Sequence, residues 1–325
     1  MQPGELGDFP WIQAYFERLF PDEYSRRHFL AEIQYWYKTA LVGAPSRGHV
    51  MFLAGPGGTG KTFLSFQILG RIFGGSAVAT PVFTGEQPFS HELFEKAVWA
   101  IDDCEKALEG RTHTRFTGAI KATAANPSLP SNKKFGYAGD MPFHGRLIIT
   151  LNDDPTSLSV LPDITSTILD KVCFYKLGAE KMGAWSEEQL MDELPKFLRW
   201  LVSADLKIEP ETRFGIVPFH DLEVKTSALE NSYAYNVLVV VNHWRNSEIG
   251  IHRDAGHKTK WSKTMTASEL AKILNTCETV RGMLGRSISP VGLGRVCAAA
   301  AENQWVGWIE AKRTGDGSVV TLIER

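Results

Sequence analysis

The run His49–Phe73, HVMFLA followed by GPGGTGKT and then FLSFQILGRIF, decides how the rest of the chain is read. His49–Ala54 is a short apolar run of strand type, and Phe63–Phe73 has the composition of a helix. Between them Gly55–Thr62 fits G-x-x-x-x-G-K-[ST] at every position. Strand, glycine-rich loop, helix is the context a phosphate-binding loop requires. Glycines let the backbone curl so that successive N–H groups face one anion, and the following helix adds its positive dipole end. Gly55, Pro56, Gly57, Gly58, Thr59, Gly60, Lys61 and Thr62 are therefore the expected nucleotide-binding residues. Lys61 would reach the β- and γ-phosphates and the Thr62 hydroxyl would ligate magnesium, which makes ATP and Mg²⁺ the expected cofactors.

Working outward, such a site also needs an acidic group on a neighbouring strand. Ala97-Val-Trp-Ala-Ile-Asp102-Asp103 supplies an apolar strand that delivers two carboxylates to its C-terminal end, the edge where ligands bind in such sheets. Asp102 suits the magnesium shell together with Thr62, and Asp103 suits polarising the attacking water, with Glu105 a weaker candidate. A third apolar run, Arg146–Leu151, ends in Asn152, whose amide can hold a water without adding charge. Lys96–Ile101, Arg146–Leu151 and Lys171–Leu177 read as buried parallel strands, so the expected fold is α/β with a parallel sheet covered on both faces.

Composition excludes several classes. With 325 residues, 43% hydrophobic and 22% charged, the chain is ordinary globular protein and not a collagen, coiled coil or disordered tail. Val237–Val241 and Leu147–Leu151 fall far short of the ~20 apolar residues of a membrane span. The N-terminal MQPGELGDFPW lacks the basic and apolar regions of a secretory signal. Cys104, Cys173, Cys277 and Cys297 are widely spaced, as in a reduced intracellular protein, so a cytoplasmic location without membrane contact is expected. Nine histidines show no zinc spacing, which argues against zinc. The net charge of −2 argues against a histone-like binder, yet Arg111–Arg146 carries net +5 and Arg245–Arg325 net +4, local excesses that attract phosphate.

Three regions follow. Residues 1–45 form a helical N-terminal lead-in: Phe9, Ile12, Tyr15, Phe16 and Leu19 recur at helical spacing, and a second helix runs from about Asp22 to Val42 after a Pro21-Asp22 cap. Residues 46–225 form the ATPase core. Residues 226–325 form a C-terminal winged-helix domain. There Thr266-Ala-Ser-Glu269 has capping-box spacing. Ser289-Pro290 opens a helix that runs to about Asn303, and Thr314–Gly317 marks a hairpin. The stretch His252–Lys263 interleaves basic and aromatic residues ahead of that domain, as either a DNA-contacting or a solvated linker.

In this order, a phosphate loop, an Asp-Asp strand, a basic loop and a strand ending in Asn resemble superfamily 3 helicases. The chain is similar to the helicase domain attached to phage, plasmid and virus primases, the poxvirus D5-like group of the AAA+ class, over roughly residues 20–180. The resemblance implies an AAA+-like P-loop ATPase that forms homo-oligomeric, hexameric rings and hydrolyses ATP between subunits. It implies single-stranded DNA drawn through the pore in the 3′→5′ sense, and a primase or polymerase domain or subunit as partner. Ser131–Gly136 resembles the family's pore hairpin, which makes Lys133, Lys134 and Phe135 the expected DNA contacts: cations for phosphate and a ring for sugar or base. The family's arginine that reaches into the neighbouring site falls on Lys171, a point charge without a planar fork; Arg115 and Arg146 are the alternatives. Two rival readings stay open: a nucleotide-dependent loader or switch that does not unwind, and a DNA-binding regulator with a vestigial ATPase.

Overall fold

In the computed structural model the chain divides into two compact units, Met1–Ala228 and Leu229–Arg325. The structure describes residues 1–325 except 44, 103, 105–109, 135, 137, 163, 182–186, 231–232, 278–286, 303, 315–316 and 325. The first unit is built on β1 (Val50–Ala54), β2 (Ser76–Val78), β3 (Val98–Asp102), β6 (Arg146–Leu151) and β7 (Val172–Lys176). These five strands form one parallel sheet in the order β2-β3-β6-β1-β7. Every residue of β1 and of β6 is buried, including Arg146 and Thr150 of β6, as expected of strands covered on both faces. Between β3 and β6 the chain makes a helix, Gly110–Ala125, and a two-stranded antiparallel hairpin, β4 (Ser128–Ser131) with β5 (Gly139–Pro142).

Register fixes what meets where. Ala54 pairs with Leu151, and Asp102 with Thr150, so the C-terminal ends of β1, β6 and β3 lie side by side along one edge of the sheet. The hairpin runs into the start of β6 and Lys171 directly precedes β7, so both belong to the opposite edge.

The N-terminal lead-in is part of the core of this unit. Helix α1 (Pro10–Leu19) buries Ile12, Tyr15, Phe16 and Leu19. Helix α2 (Glu23–Leu41) starts at Asp22, whose carboxylate accepts the Ser25 amide at 2.6 Å, the N-cap its sequence signals. Phe20 stacks on Phe29 at 4.5 Å, Phe29 meets Tyr175 of β7 edge-on, and Trp36 stacks on Phe73 at 3.5 Å. A fully buried side chain of this size contributes roughly 1.5–3 kcal/mol, so this aromatic seam holds the lead-in helices on the sheet. The helix Glu187–Ser203 closes the same cluster through Leu190, Leu194, Phe197, Leu198 and Leu201, despite Pro195 within it.

The second unit runs helix Tyr233–Asp254, β8 (Ser262–Thr266), helix Ala267–Thr276, helix Pro290–Glu302, β9 (Ile309–Thr314) and β10 (Gly317–Ile323). The three strands are antiparallel in the order β8-β10-β9. Thr266 and Glu269 form the capping box, and Pro290 is the first residue of its helix, both as the sequence indicates. β8 covers the end of the segment read as a linker, because Trp261 and Met265 are buried against the core of this unit.

Candidate active site

The loop after β1 is held from both sides. Gly58 and Gly60 adopt φ of +79° and +100°, the left-handed region that lets consecutive amides turn toward one point. Gly55 lies against Leu177, where an added Cβ would come within 2.9 Å of the Leu177 Cβ. The loop amide of Gly55 donates to Leu151 O at 3.1 Å, and Thr59 Oγ1 donates to Pro56 O at 3.1 Å. The helix that follows starts at Lys61 and passes through a π-helical turn, Leu64–Leu69, a feature that recurs near functional sites.

Around this loop three strand ends deliver chemistry. Lys61 is buried, and its Nζ donates to Gly55 O at 2.6 Å, Pro56 O at 2.8 Å and Asn152 Oδ1 at 3.4 Å. Thr62 Oγ1 donates to Asp102 Oδ2 at 2.9 Å. The other oxygen of Asp102, Oδ1, accepts from the hydroxyl of Thr150, its register partner on β6. Gly57, Gly58, Gly60, Lys61, Thr62, Asp102 and Asn152 line one cleft of about 300 Å³. Because β6 is inserted between β1 and β3, Asn152 stands between the loop lysine and the acidic strand. Thr62 and Asp102 together form a hard-oxygen pair of the kind Mg²⁺ takes, while Lys61 and the loop amides suit phosphate oxygens. The residues present fit a magnesium nucleotide.

Two residues here escape the sequence reading. Tyr15 of α1 is fully buried and donates its hydroxyl to Gly60 O at 3.0 Å, and Arg18 Nη2 donates to Thr59 O at 3.3 Å. Burial raises the Tyr15 pKa, so the phenol stays a donor. The lead-in helix thus clamps the phosphate loop from outside. Periodicity marks Tyr15 only as a buried-face residue; nothing local announces its partner. Thr150 carries a faint signal, the single polar residue after Arg146 in RLIITL.

The remaining expected residues lie elsewhere. Lys133 and Lys134 are exposed on the segment joining β4 to β5, at the end of the hairpin away from the start of β6, which itself lies at the sheet edge opposite the loop. Lys171 is at that edge too, donating to Thr167 O at 2.7 Å and to Asp170 Oδ1 at 2.6 Å. Asp170 also accepts from Arg213. Burial works against ionisation of Asp170, but the bonds from Lys171 and Arg213 hold its carboxyl below the usual range. Lys171 is therefore not part of the cleft formed by its own chain. Arg146 is 3% exposed and bonds Ser46 O, Arg47 O and Gly145 O, which makes it a staple of the sheet edge, unable to reach a neighbouring molecule. Asp103, Glu105 and Phe135 lie outside the described residues.

Among the described residues no helix is long and apolar enough to cross a membrane. A family model described as a family of unknown function (DUF5906) matches residues 53–165, the stretch from the phosphate-loop strand past Asn152. No curated protein matches. Among solved structures the chain is similar to the apo structure of the NrS-1 C terminal region (305–718), with a TM-score of 0.60 and 16% identity over 100% of this chain and 77% of that one. A second form, the A form apo structure of the same region, gives 0.56 and 15%, over 100% and 78%. At these identities the likeness shows the fold: a mixed α/β architecture on a five-stranded parallel sheet, shared along the whole chain.

Proposed function

We propose that the chain is a ring-forming, ATP-driven DNA helicase of the superfamily 3, primase-associated type, acting in replication of a mobile element. The observation that carries this reading is the convergence of Lys61, Thr62, Asp102 and Asn152 on one glycine-rich cleft. In it the loop amides and Lys61 bind the triphosphate, and Thr62 and Asp102 hold Mg²⁺, which neutralises charge on the transferring phosphoryl group. Asn152 orients the attacking water, with Asp103 as the base. The far edge of the sheet meets the DNA and the neighbouring subunit. Exposed Lys133 and Lys134 contact the phosphates of single-stranded DNA, with Phe135 bracing sugar or base, and Lys171 is the cation offered to the next subunit's site.

The second unit supports a winged-helix reading by its element order, helix, strand, two helices and a β-ribbon. A cleft of about 410 Å³ between its last two helices and the ribbon carries the exposed Arg295 and Arg313, which suit a nucleic-acid backbone. The partners of this reading are further copies of the chain, completing a hexamer, and a primase or polymerase domain or subunit. Its setting is the cell interior.

The experiment is ATP hydrolysis by the full chain with and without single-stranded DNA, alongside unwinding of a forked duplex. Hydrolysis should rise with DNA and vanish in Lys61→Ala, while Lys134→Ala should keep basal hydrolysis and lose strand separation. Hydrolysis indifferent to DNA, with no unwinding by the unaltered chain, would leave a nucleotide-dependent loader or switch as the better reading.

A further inference from the structure

Between α2 and the sheet the first unit buries a cluster of ionisable groups that the nucleotide cleft does not use. His28 and Glu32 stand one turn apart on α2, Cys173 is on β7 and His49 directly precedes β1; all four are at most 2% exposed. One ligand atom each from His28, Glu32 and Cys173 fall within 4.8 Å of one another, and Cys173 Sγ is 3.7 Å from Glu32 Oε1. On tetrahedral zinc, bond lengths of ~2.0 Å to oxygen or nitrogen and ~2.3 Å to sulfur put neighbouring ligands roughly 3.3–3.5 Å apart. The side chains are thus within small adjustments of coordination distance.

The surroundings are arranged as the supports of a metal site are. His28 Nε2 is 2.7 Å from Val217 O; a carbonyl can only accept, so Nε2 carries the proton and Nδ1 presents its lone pair. That Nδ1 accepts from the Tyr175 hydroxyl at 2.8 Å. An imidazole whose far nitrogen is fixed on a backbone carbonyl is the usual posture of a metal-ligating histidine. His49 Nδ1 bonds Glu32 Oε1 at 2.5 Å and orients that carboxylate, while His49 Nε2, buried, has no hydrogen-bond partner among the described residues. The Phe219 amide donates to Cys173 Sγ at 3.4 Å, a contact that favours a thiolate. Burying a carboxylate, two imidazoles and a thiol where aliphatic side chains would pack is costly unless something compensates them.

We propose that His28, Glu32 and Cys173 bind one structural zinc ion, with His49 as the residue that positions Glu32. The mixed nitrogen, oxygen and sulfur set is borderline-soft and selects zinc, or cobalt as its substitute, over magnesium. On binding, the Cys173 S–H bond breaks, a Zn–S bond forms and one proton leaves to solvent. Zinc takes the Nδ1 lone pair that now accepts from the Tyr175 hydroxyl, so that hydrogen bond breaks and Tyr175 Oη is left as an oxygen beside the ion. The ion would tie α2 to β7, joining the lead-in helices to the sheet, and the site is independent of the helicase reading.

The test uses the purified full chain. Elemental analysis should find zinc in a one-to-one ratio after gel filtration, and a strong chelator should lower the melting temperature. Refolding with Co²⁺ should give the thiolate-to-cobalt charge-transfer absorption, which Cys173→Ser abolishes. His49→Gln should weaken zinc binding by about 10–100-fold, the usual effect of losing an orienting partner. Should Cys173→Ser fail to fold, X-ray absorption on the unaltered cobalt protein decides through its sulfur scatterer. Lys61→Ala should keep its zinc, so loss of hydrolysis and loss of metal read out separately. A chain free of zinc as purified, without the cobalt absorption and with a melting temperature unmoved by chelator, would overturn the proposal and leave a metal-free hydrogen-bonded core.

Discussion

Replacing Thr150 by Val isolates what the hydroxyl behind Asp102 contributes. Thr150 is 2% exposed in the middle of the sheet, and valine has nearly its shape, so packing on β3 and β1 should survive. What is lost is the bond to Asp102 Oδ1 and the longer one to Ile101 O, leaving Thr62 as the carboxylate's partner among the described residues. A hydrogen bond to a charged acceptor contributes about 1.5–3 kcal/mol. Asp102 is only half-buried and water can replace part of that, so the stability loss should sit near the lower figure. On the proposed reading the larger effect falls on the metal. A carboxylate free to rotate presents Oδ2 to Mg²⁺ less often, and removing an orienting partner of a metal ligand typically costs about 10–100-fold in affinity or activity. Hydrolysis titrated with Mg²⁺ at fixed ATP should show its midpoint moved upward by that factor, with Thr150→Ser restoring it. An unmoved magnesium midpoint in a folded Thr150→Val protein would refute the idea that β6 orients the acidic residue.

Two further outcomes follow from groups at opposite ends of the sheet. Tyr15→Phe keeps the ring contacts with Phe16 and Phe63 but removes one of two donors to Gly60 O, leaving the Leu64 amide; denaturant unfolding should show a loss of about 1 kcal/mol and nucleotide titration a weaker affinity, whereas unchanged values in both would mean that α1 does not brace the loop. Burial, helped by Lys225, pulls the His220 pKa down to about 4, so the unfolded chain takes up a proton between pH 6.5 and 4 that the folded chain refuses. Stability should therefore fall by about 2 kcal/mol from about pH 7.5 to about pH 5, and His220→Gln should remove most of that decline in urea melts at the two pH values.

The parts of the fold that could be read from the chain are those whose cause is local. A phosphate loop carries its geometry in its own glycines, β1 carries its burial in an unbroken apolar run, and β6 carries it in Leu147–Ile149 and Leu151. The cap at Asp22 and the capping box at Thr266 span only four residues each. The three-residue β2 is too short for a pattern, and its half-exposed Ser76-Ala-Val78 earns its place only by pairing with β3. Pro195 would ordinarily end a helix, yet Glu187–Ser203 continues because its apolar face fills the gap beside α1. The site shows the same division. Lys61, Thr62, Asp102 and Asn152 are legible because each ends a strand or a motif. Tyr15, Arg18 and Thr150 act through partners that stand 41 to 48 positions away, and no periodicity encodes such a meeting. The His28, Glu32 and Cys173 cluster was hidden for the same reason: only its His-x-x-x-Glu half is visible in the chain, and the sulfur comes 141 positions after the glutamate.

The parallel sheet also sets a constraint on any motor built from this chain. Every strand points its C-terminal end at the phosphate loop, so Lys61, Asp102 and Asn152 crowd one edge. The base of the hairpin that carries Lys133 and Lys134, and the Asp170 pairing with Lys171 and Arg213, lie at the other. On the proposed reading, nucleic acid on that hairpin acts on a triphosphate in the cleft through the protein between them. Coupling then has two physical routes. One runs through β6 itself, which begins beside the hairpin at Arg146 and ends at Asn152, with Thr150 on Asp102; a buried strand bonded on both sides transmits displacement without absorbing it. The other runs between copies, with the cationic edge of one chain meeting the nucleotide edge of the next. The first route alone would let an isolated chain respond to DNA; only the second makes the response depend on assembly. Lys171, held by Asp170 and the Thr167 carbonyl at the far edge, has no task in the first route and a natural one in the second. On the proposed reading, that asymmetry is the physical argument for an oligomer over a monomeric switch.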